Sequence, residues 1–300
     1  MANNAVQEYL SRKFRKLLSG AKDGMPPWLD AVASGDDPGL FLPSDAPWVI
    51  HRDFSTLVGG IRALLLQAMH PGALAGVAQH SRYEQDPLGR LSGTIRWLTV
   101  TTFGSKEAVL KEASRVNKMH DRVSGSYQRQ QGQEVKYQAS DQDLLLWVHI
   151  AFMDSFLRSH QLYSKAPIPG GADSYVRLWG KSVEPLGLNE VPKSEADLVQ
   201  TLDSYSDVLR CDERSLAVIT WIRNAPLPLT AKPIYLLLFQ AALASLPRQI
   251  QEQIGIRAWP LWILRPLVTN LLAFLRFAIG PDSPIEDAAI ARLRRLGAIK

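Results

Sequence analysis

Cysteine is almost missing from this chain: Cys211 is the only one in 300 residues. No disulfide can close within the molecule, which fits a reducing compartment. The surrounding VLRCDERS reads as a polar helix junction, so the thiol is taken as structural rather than as a metal ligand. Zinc-finger spacing, a basic–aromatic platform and a glycine-rich phosphate loop are all absent, and nucleic acid is not an expected partner. No Glu-x-x-His pair occurs and acidic residues are scarce on the apolar stripes, which argues against a carboxylate-bridged di-iron bundle. No linker, internal repeat or low-complexity run divides the chain, so one domain over residues 1–300 is expected. The first residues, MANNAVQEYLSRKFRKLL, lack the order of a secretory signal and read as an amphipathic helix. A cytoplasmic location follows.

Acidic residues are also the scarcer charge, 29 against 34 lysines and arginines. The basic excess gathers partly in the tails, at Arg12-Lys13, Arg15-Lys16, Arg292, Arg294, Arg295 and Lys300. An excess this mild points to no particular acidic partner. A long uninterrupted apolar run is missing too. Trp259 to Ile279 comes nearest, but Pro260, Arg265, Pro266, Asn270 and Arg276 interrupt it. A bare span needs about twenty apolar residues, and arginine is costly at bilayer depth. The segment reads as a helix that closes an apolar pocket, with Trp262, Leu271, Phe274 or Leu275 inward, or as a peripheral membrane contact lying in plane.

What is present is helical periodicity almost throughout. Ser105 to Gly125 carries Val109, Ala113, Val116, His120 and Val123 on one stripe, in steps of four and three. Lys106, Lys111, Glu112, Arg115, Lys118 and Arg122 mostly fall on the other faces. The stripe is apolar except for one imidazole. A buried imidazole must be hydrogen-bonded or must coordinate something. Two readings stay open for His120: a core histidine bonded to a carbonyl, or an axial ligand to haem iron. Before it, Asp86-Pro87 marks a helix start, and Gly104 closes a segment through Arg90, Leu91, Thr94, Ile95, Leu98 and Phe103. Ser105 can cap the next helix at once, so a tight antiparallel hairpin is expected. Arg90 and His120 then sit at similar height, with Thr94 one turn from Arg90 on the same face. The guanidinium can serve a propionate carboxylate. Otherwise it is simply solvated.

Other helices are expected over 54–69, with Gly59-Gly60 signalling a close approach, over 73–80, and over 141–163 behind a Ser140/Asp143 capping box. The last is apolar on all sides around His149, either a core histidine or a second functional imidazole. His51, His70, His80 and His160 stand at element edges or on exposed faces. Trp28, Phe41 and Trp48 should pin an irregular stretch over 24–47. Further helices are expected near 172–179, 194–208, 214–224, 234–246 and 247–255.

Four passages together resemble a known family: LLLQAMHP at 64–71, HSRYEQDPLGRLSGT at 80–94, MHDRV around His120 and SDQDLLLWVHIAFMDS around His149. They are similar to the latex-clearing rubber oxygenases and the fungal oxygenases of mycophenolic-acid biosynthesis, over roughly residues 40–275. The resemblance implies an all-α fold with a globin-like helical core around a haem pocket. It implies haem b on a histidine of an H-x-x-V motif, here His120 to Val123, so that His120 is the metal ligand. It further implies an Arg and a Thr four apart near the haem, here Arg90 and Thr94. His149 joins these as a cofactor-binding candidate. The family reaction is oxidative cleavage of a carbon–carbon double bond, so an apolar, unsaturated, isoprenoid-like substrate and dioxygen are the expected partners. Two positions depart from the rubber oxygenases: a lysine before the Thr is Gly93 here, and an arginine after the haem histidine is Ser124. Two other functions remain open, a non-catalytic haem- or lipid-binding helical protein and a haem-free membrane-associated lipid enzyme.

Overall fold

A computed structural model describes residues 5–19, 24–80, 87–128, 133–280 and 283–300, the side chains of 17–19, 77–80 and 87–91 excepted. The architecture is all-α, as expected. In order, the described residues form α1 (Ala5–Ser19), α2 (Leu29–Ala33), α3 (Ala46–His51), α4 (Thr56–Met69), α5 (Pro71–His80), α6 (Pro87–Phe103) and α7 (Lys106–His120). The strands β1 (Ser124–Gln128) and β2 (Glu134–Gln138) come next, then α8 (Gln142–Tyr163) and α9 (Gly171–Gly180). A 3-10 helix (Lys181–Leu186) leads to α10 (Glu195–Asp203), α11 (Glu213–Arg223), α12 (Lys232–Ala244), α13 (Arg248–Ile254), α14 (Leu261–Ile279) and α15 (Pro284–Arg295).

The core is built on α8 and α4. LLLWVHIAF gives α8 apolar side chains on every face, and Leu144, Trp147, Ile150, Met153 and Leu157 are buried around its circumference. The helix α4 crosses it where Gly59 allows. A methyl group at Gly59 would lie 2.6 Å from Phe156 Cδ1 and 3.1 Å from the Ser155 carbonyl. Close helix packing therefore explains this glycine. At the same crossing the guanidinium of Arg62 meets the Asp154 carboxylate at 2.6 Å and donates to Ser155 Oγ at 2.9 Å. Helices α11, α12 and α14 pack over the remaining faces. Trp28, Phe41 and Trp48 are all buried and do anchor the stretch before α3.

The helical hairpin forms as the sequence predicts. The helix α6 starts at Pro87 and stops before Gly104, and Ser105 Oγ accepts from Ala108 N at 3.2 Å to cap α7. A methyl at Gly104 would stand 2.5 Å from the Val100 carbonyl, so the tight turn excludes any side chain there. Val109, Ala113 and Val116 are buried on one stripe. Glu112 departs from expectation. It is 2% exposed, and its carboxylate takes Arg96 Nε of α6 at 2.8 Å and Arg115 Nη2 at 2.6 Å. Two guanidiniums compensate its burial, which the helical wheel alone could not reveal.

Three other expectations are corrected. The helix does not run on to Val123; it ends at His120, and SGSYQ and EVKYQ pair as an antiparallel hairpin with Ser124 opposite Gln138. The Ser140/Asp143 capping box does not form. Asp141 is the cap residue of α8, its carboxylate accepts from Gln138 N at 2.8 Å, and Asp143 instead accepts from Tyr205 OH at 2.9 Å. In α14 Leu264, Val268 and Leu272 are buried and Leu271 and Leu275 pack half-buried against the core as expected, whereas Trp262 and Phe274 face outward. Only EVKYQ alternates apolar with polar residues, a weak strand signal.

Candidate functional site

Histidine satisfaction sorts the candidates. His51 is enclosed by Phe156, Tyr175 and Trp179. Thr102 Oγ1 already donates to the Leu98 carbonyl at 2.7 Å, so His51 Nδ1 donates to Thr102 and Nε2 accepts from Tyr175 OH at 3.1 Å. His70 is buried rather than exposed. Its Nδ1 accepts from Gly72 N and Ala73 N, both at 3.2 Å, so this imidazole caps the start of α5 where Ser or Asp normally would. His160 is buried too and donates through Nε2 to the Ala166 carbonyl at 2.8 Å. Each of the three has a structural task. The side chain of His80 lies outside the described residues.

His120 and His149 differ. Neither ring makes a hydrogen bond to another described residue; Nδ1 of His120 and Nε2 of His149 are wholly buried without a partner there, as is His160 Nδ1, whose ring is however already held through Nε2. Burial pushes the His120 pKa down, against the opposing pull of Asp121, and pushes His149 down to about 3. Both imidazoles are therefore neutral near pH 7 and keep a lone pair, the form in which histidine binds a metal. His120 is the last residue of α7. Its carbonyl accepts from Val123 N at 2.9 Å, and Val123 leads directly into β1. The hairpin thus fixes the backbone that carries this ring.

The pairing of α6 with α7 sets the height of the neighbours. Arg96 and Glu112 stand equally far on either side of Gly104, and their ion pair fixes the register. Extending that register brings the Arg90 position of α6 within about a turn of His120, at ~1.5 Å rise per residue. The Arg90 side chain lies outside the described residues; Thr94 is described and half-buried. Residues 93, 94, 97 and 101 share one face of α6 by helical period. On it a methyl at Gly93 would meet no atom of the described residues within 4 Å, and Thr101 Oγ1 is buried without a partner among them. Gly60 of α4 also looks onto open space, in contrast to Gly59. Trp97 and Thr101 were not singled out from sequence; the step of four residues from Gly93 was the available signal.

His149 stands apart on α8. The 3-10 helix joins the two regions, because Val183 and Leu188 at its end pack on Leu145 of α8 while its backbone runs along α7. Among the described residues no three His, Cys, Asp or Glu side chains gather as a ligand set. The donors that are present suit a group that brings its own ring nitrogens and asks the protein for one imidazole, as haem does.

A family model described as "ER-bound oxygenase mpaB/B'/Rubber oxygenase, catalytic domain" matches residues 48–277. The chain belongs to this oxygenase family. The matched region runs from within α3 to within α14, so it contains α4, α6, α7 and α8 and leaves α1, α2 and α15 outside. Comparison with curated proteins and with solved structures found no match for either. The matched domain is a catalytic one, which makes oxygenase chemistry the activity to be accounted for.

Proposed function

We propose that this oxygenase is a single domain that uses haem b, held through His120, to oxidise an apolar, unsaturated, isoprenoid-like substrate with dioxygen. The observation that carries the proposal is the state of His120. Among the described residues it is the one that combines a buried nitrogen with no described partner, a neutral ring and the H-x-x-V position of the family motif. Gly93 and Gly60 supply helix faces without side chains, which a flat macrocycle can approach.

Haem would bring the redox-active iron needed for dioxygen chemistry. The chain supplies the rest. His120 presents a neutral imidazole whose position is fixed by the helix end and the following hairpin. Arg90 is assigned to a haem carboxylate and Thr94 to orienting the cofactor, one helical turn apart. His149, neutral and enclosed, keeps charge out of the apolar interior. Oxidative cleavage of a carbon–carbon double bond is the reaction assigned to the site.

Titration of the purified protein with haem tests the first half. A Soret band saturating at one haem per chain is expected, and oxygen uptake with a polyisoprenoid oligomer should follow. Haem binding without oxygen uptake across apolar alkenes would make this a haem carrier. No Soret band at all would remove haem from the proposal.

A further inference from the structure

The helix α14 is long and apolar, yet only one side of it is used. Leu264, Val268 and Leu272 pack into the core. The opposite side is open: Trp262 is 77% exposed, Phe274 63% and Phe277 75%, with Leu267 beside them. Scattered exposed apolar residues are ordinary on soluble proteins, but a row along a whole helix marks an interaction surface. The charge around it is mainly positive. From Gln253 to Ile279 there is no acidic residue, while Arg257 and Arg265 are exposed. The helix α1 lies alongside, with Gln7 Nε2 donating to the Phe277 carbonyl at 2.9 Å. It adds exposed Val6 and Tyr9 to the apolar row and exposed Arg12, Lys13 and Lys16 to its margin; Glu8 is its only acid.

We propose that this face of α14, with the adjoining surface of α1, docks in plane on an anionic lipid leaflet. Aromatic and aliphatic side chains enter the headgroup boundary, and the basic margin meets lipid phosphates and carboxylates. The helix does not cross the bilayer. Crossing would strip Leu264, Val268 and Leu272 from the core and break the Arg276–Asp53 ion pair at 2.9 Å. A second copy of the chain is a poor occupant, because a symmetric contact would set the basic margins against each other. None of the residues named for this surface lies on α6 or α7, so the inference stands or falls independently of haem.

The full-length chain is sedimented with phosphatidylcholine vesicles, with and without phosphatidylserine. Binding is expected to require phosphatidylserine, to weaken at high salt, and to shift tryptophan emission to the blue. The W262D/F274D/F277D variant is expected to lose roughly tenfold or more of vesicle affinity. Its melting temperature should be retained, since these side chains are exposed. The inference is overturned if wild type stays in the supernatant, if both vesicle types bind equally, or if the variant sediments as wild type does. A wild-type dimer that the variant abolishes would assign the face to a second copy. Protease protection of α14 that survives carbonate extraction would make it a span.

Discussion

At the scale of single residues, burial controls the histidines, and that control has a pH signature. His51 and His149 are both lowered from 6.5 to about 3 by desolvation. Below about 6.5 the unfolded chain takes up protons at these positions that the native chain refuses. Their contribution to stability is therefore complete above that pH and is lost progressively as pH falls toward about 3. In the haem-free protein, His149→Gln should lower this proton linkage, so its melting temperature should fall less than wild type's between about pH 7 and about pH 5. Equal slopes in the two proteins would mean that His149 titrates freely in the native state. The sequence located His120 and His149 through periodicity, because one imidazole on an apolar stripe stands out. It set His51, His70 and His160 aside as edge or exposed positions but could not show their tasks, because the partners of His51 come from distant segments, that of His160 from the loop after its helix, and those of His70 from backbone amides that caps rarely give to histidine. Glu112 was misplaced for a related reason: the Arg96 that compensates its burial belongs to the preceding helix.

At the scale of elements, the crossing of α4 and α8 rests on shape and on one enclosed ion pair. Gly59 and Gly60 are adjacent in sequence and opposite in consequence. Gly59→Ala forces a methyl against Phe156 and the Ser155 carbonyl, and overpacking of this kind costs about 1–3 kcal/mol. Gly60→Ala meets nothing and should gain about 0.5–1 kcal/mol of helix propensity. Denaturant midpoints of the two variants should move in opposite directions; a shift of the same sign in both would contradict the packing described. Arg62→Met should be harsher. Arg62 and Asp154 are 2% and 4% exposed, and the carboxylate would keep only Arg158, at 3.3 Å. Removing one member of a buried pair costs ~3–5 kcal/mol, whereas replacing both members recovers much of it. Urea unfolding of Arg62→Met and of Arg62→Met/Asp154→Leu would show this; equal losses in both would assign the cost to packing rather than charge. The helices themselves were legible from caps and spacing, most clearly Pro87 to Phe103 and Ser105 to His120. The β-hairpin was not, because five-residue polar strands carry little apolar alternation. In α14 Leu271 and Leu275 were placed correctly, and only the largest side chains, Trp262 and Phe274, were misread, because they serve the outside.

At the scale of the whole molecule, the chain is a helical oxygenase-family domain with a core on α4 and α8, to which α3 and the 3-10 helix link the α6–α7 hairpin. The fold class and the family motifs were both readable from sequence. The height of Arg90 and Thr94 relative to His120 was only partly so, since it depends on register between helices that the Arg96–Glu112 pair fixes in space. The assignment of haem to His120 ties these levels together. Its most direct measurement is the absorption spectrum of wild type and His120→Ala after haem addition, with circular dichroism recorded on the same samples. Wild type should show a Soret band, and His120→Ala should lose it while keeping its helical signal. A His120→Ala protein that retains haem with an unchanged Soret band would contradict the assignment and turn attention to His149.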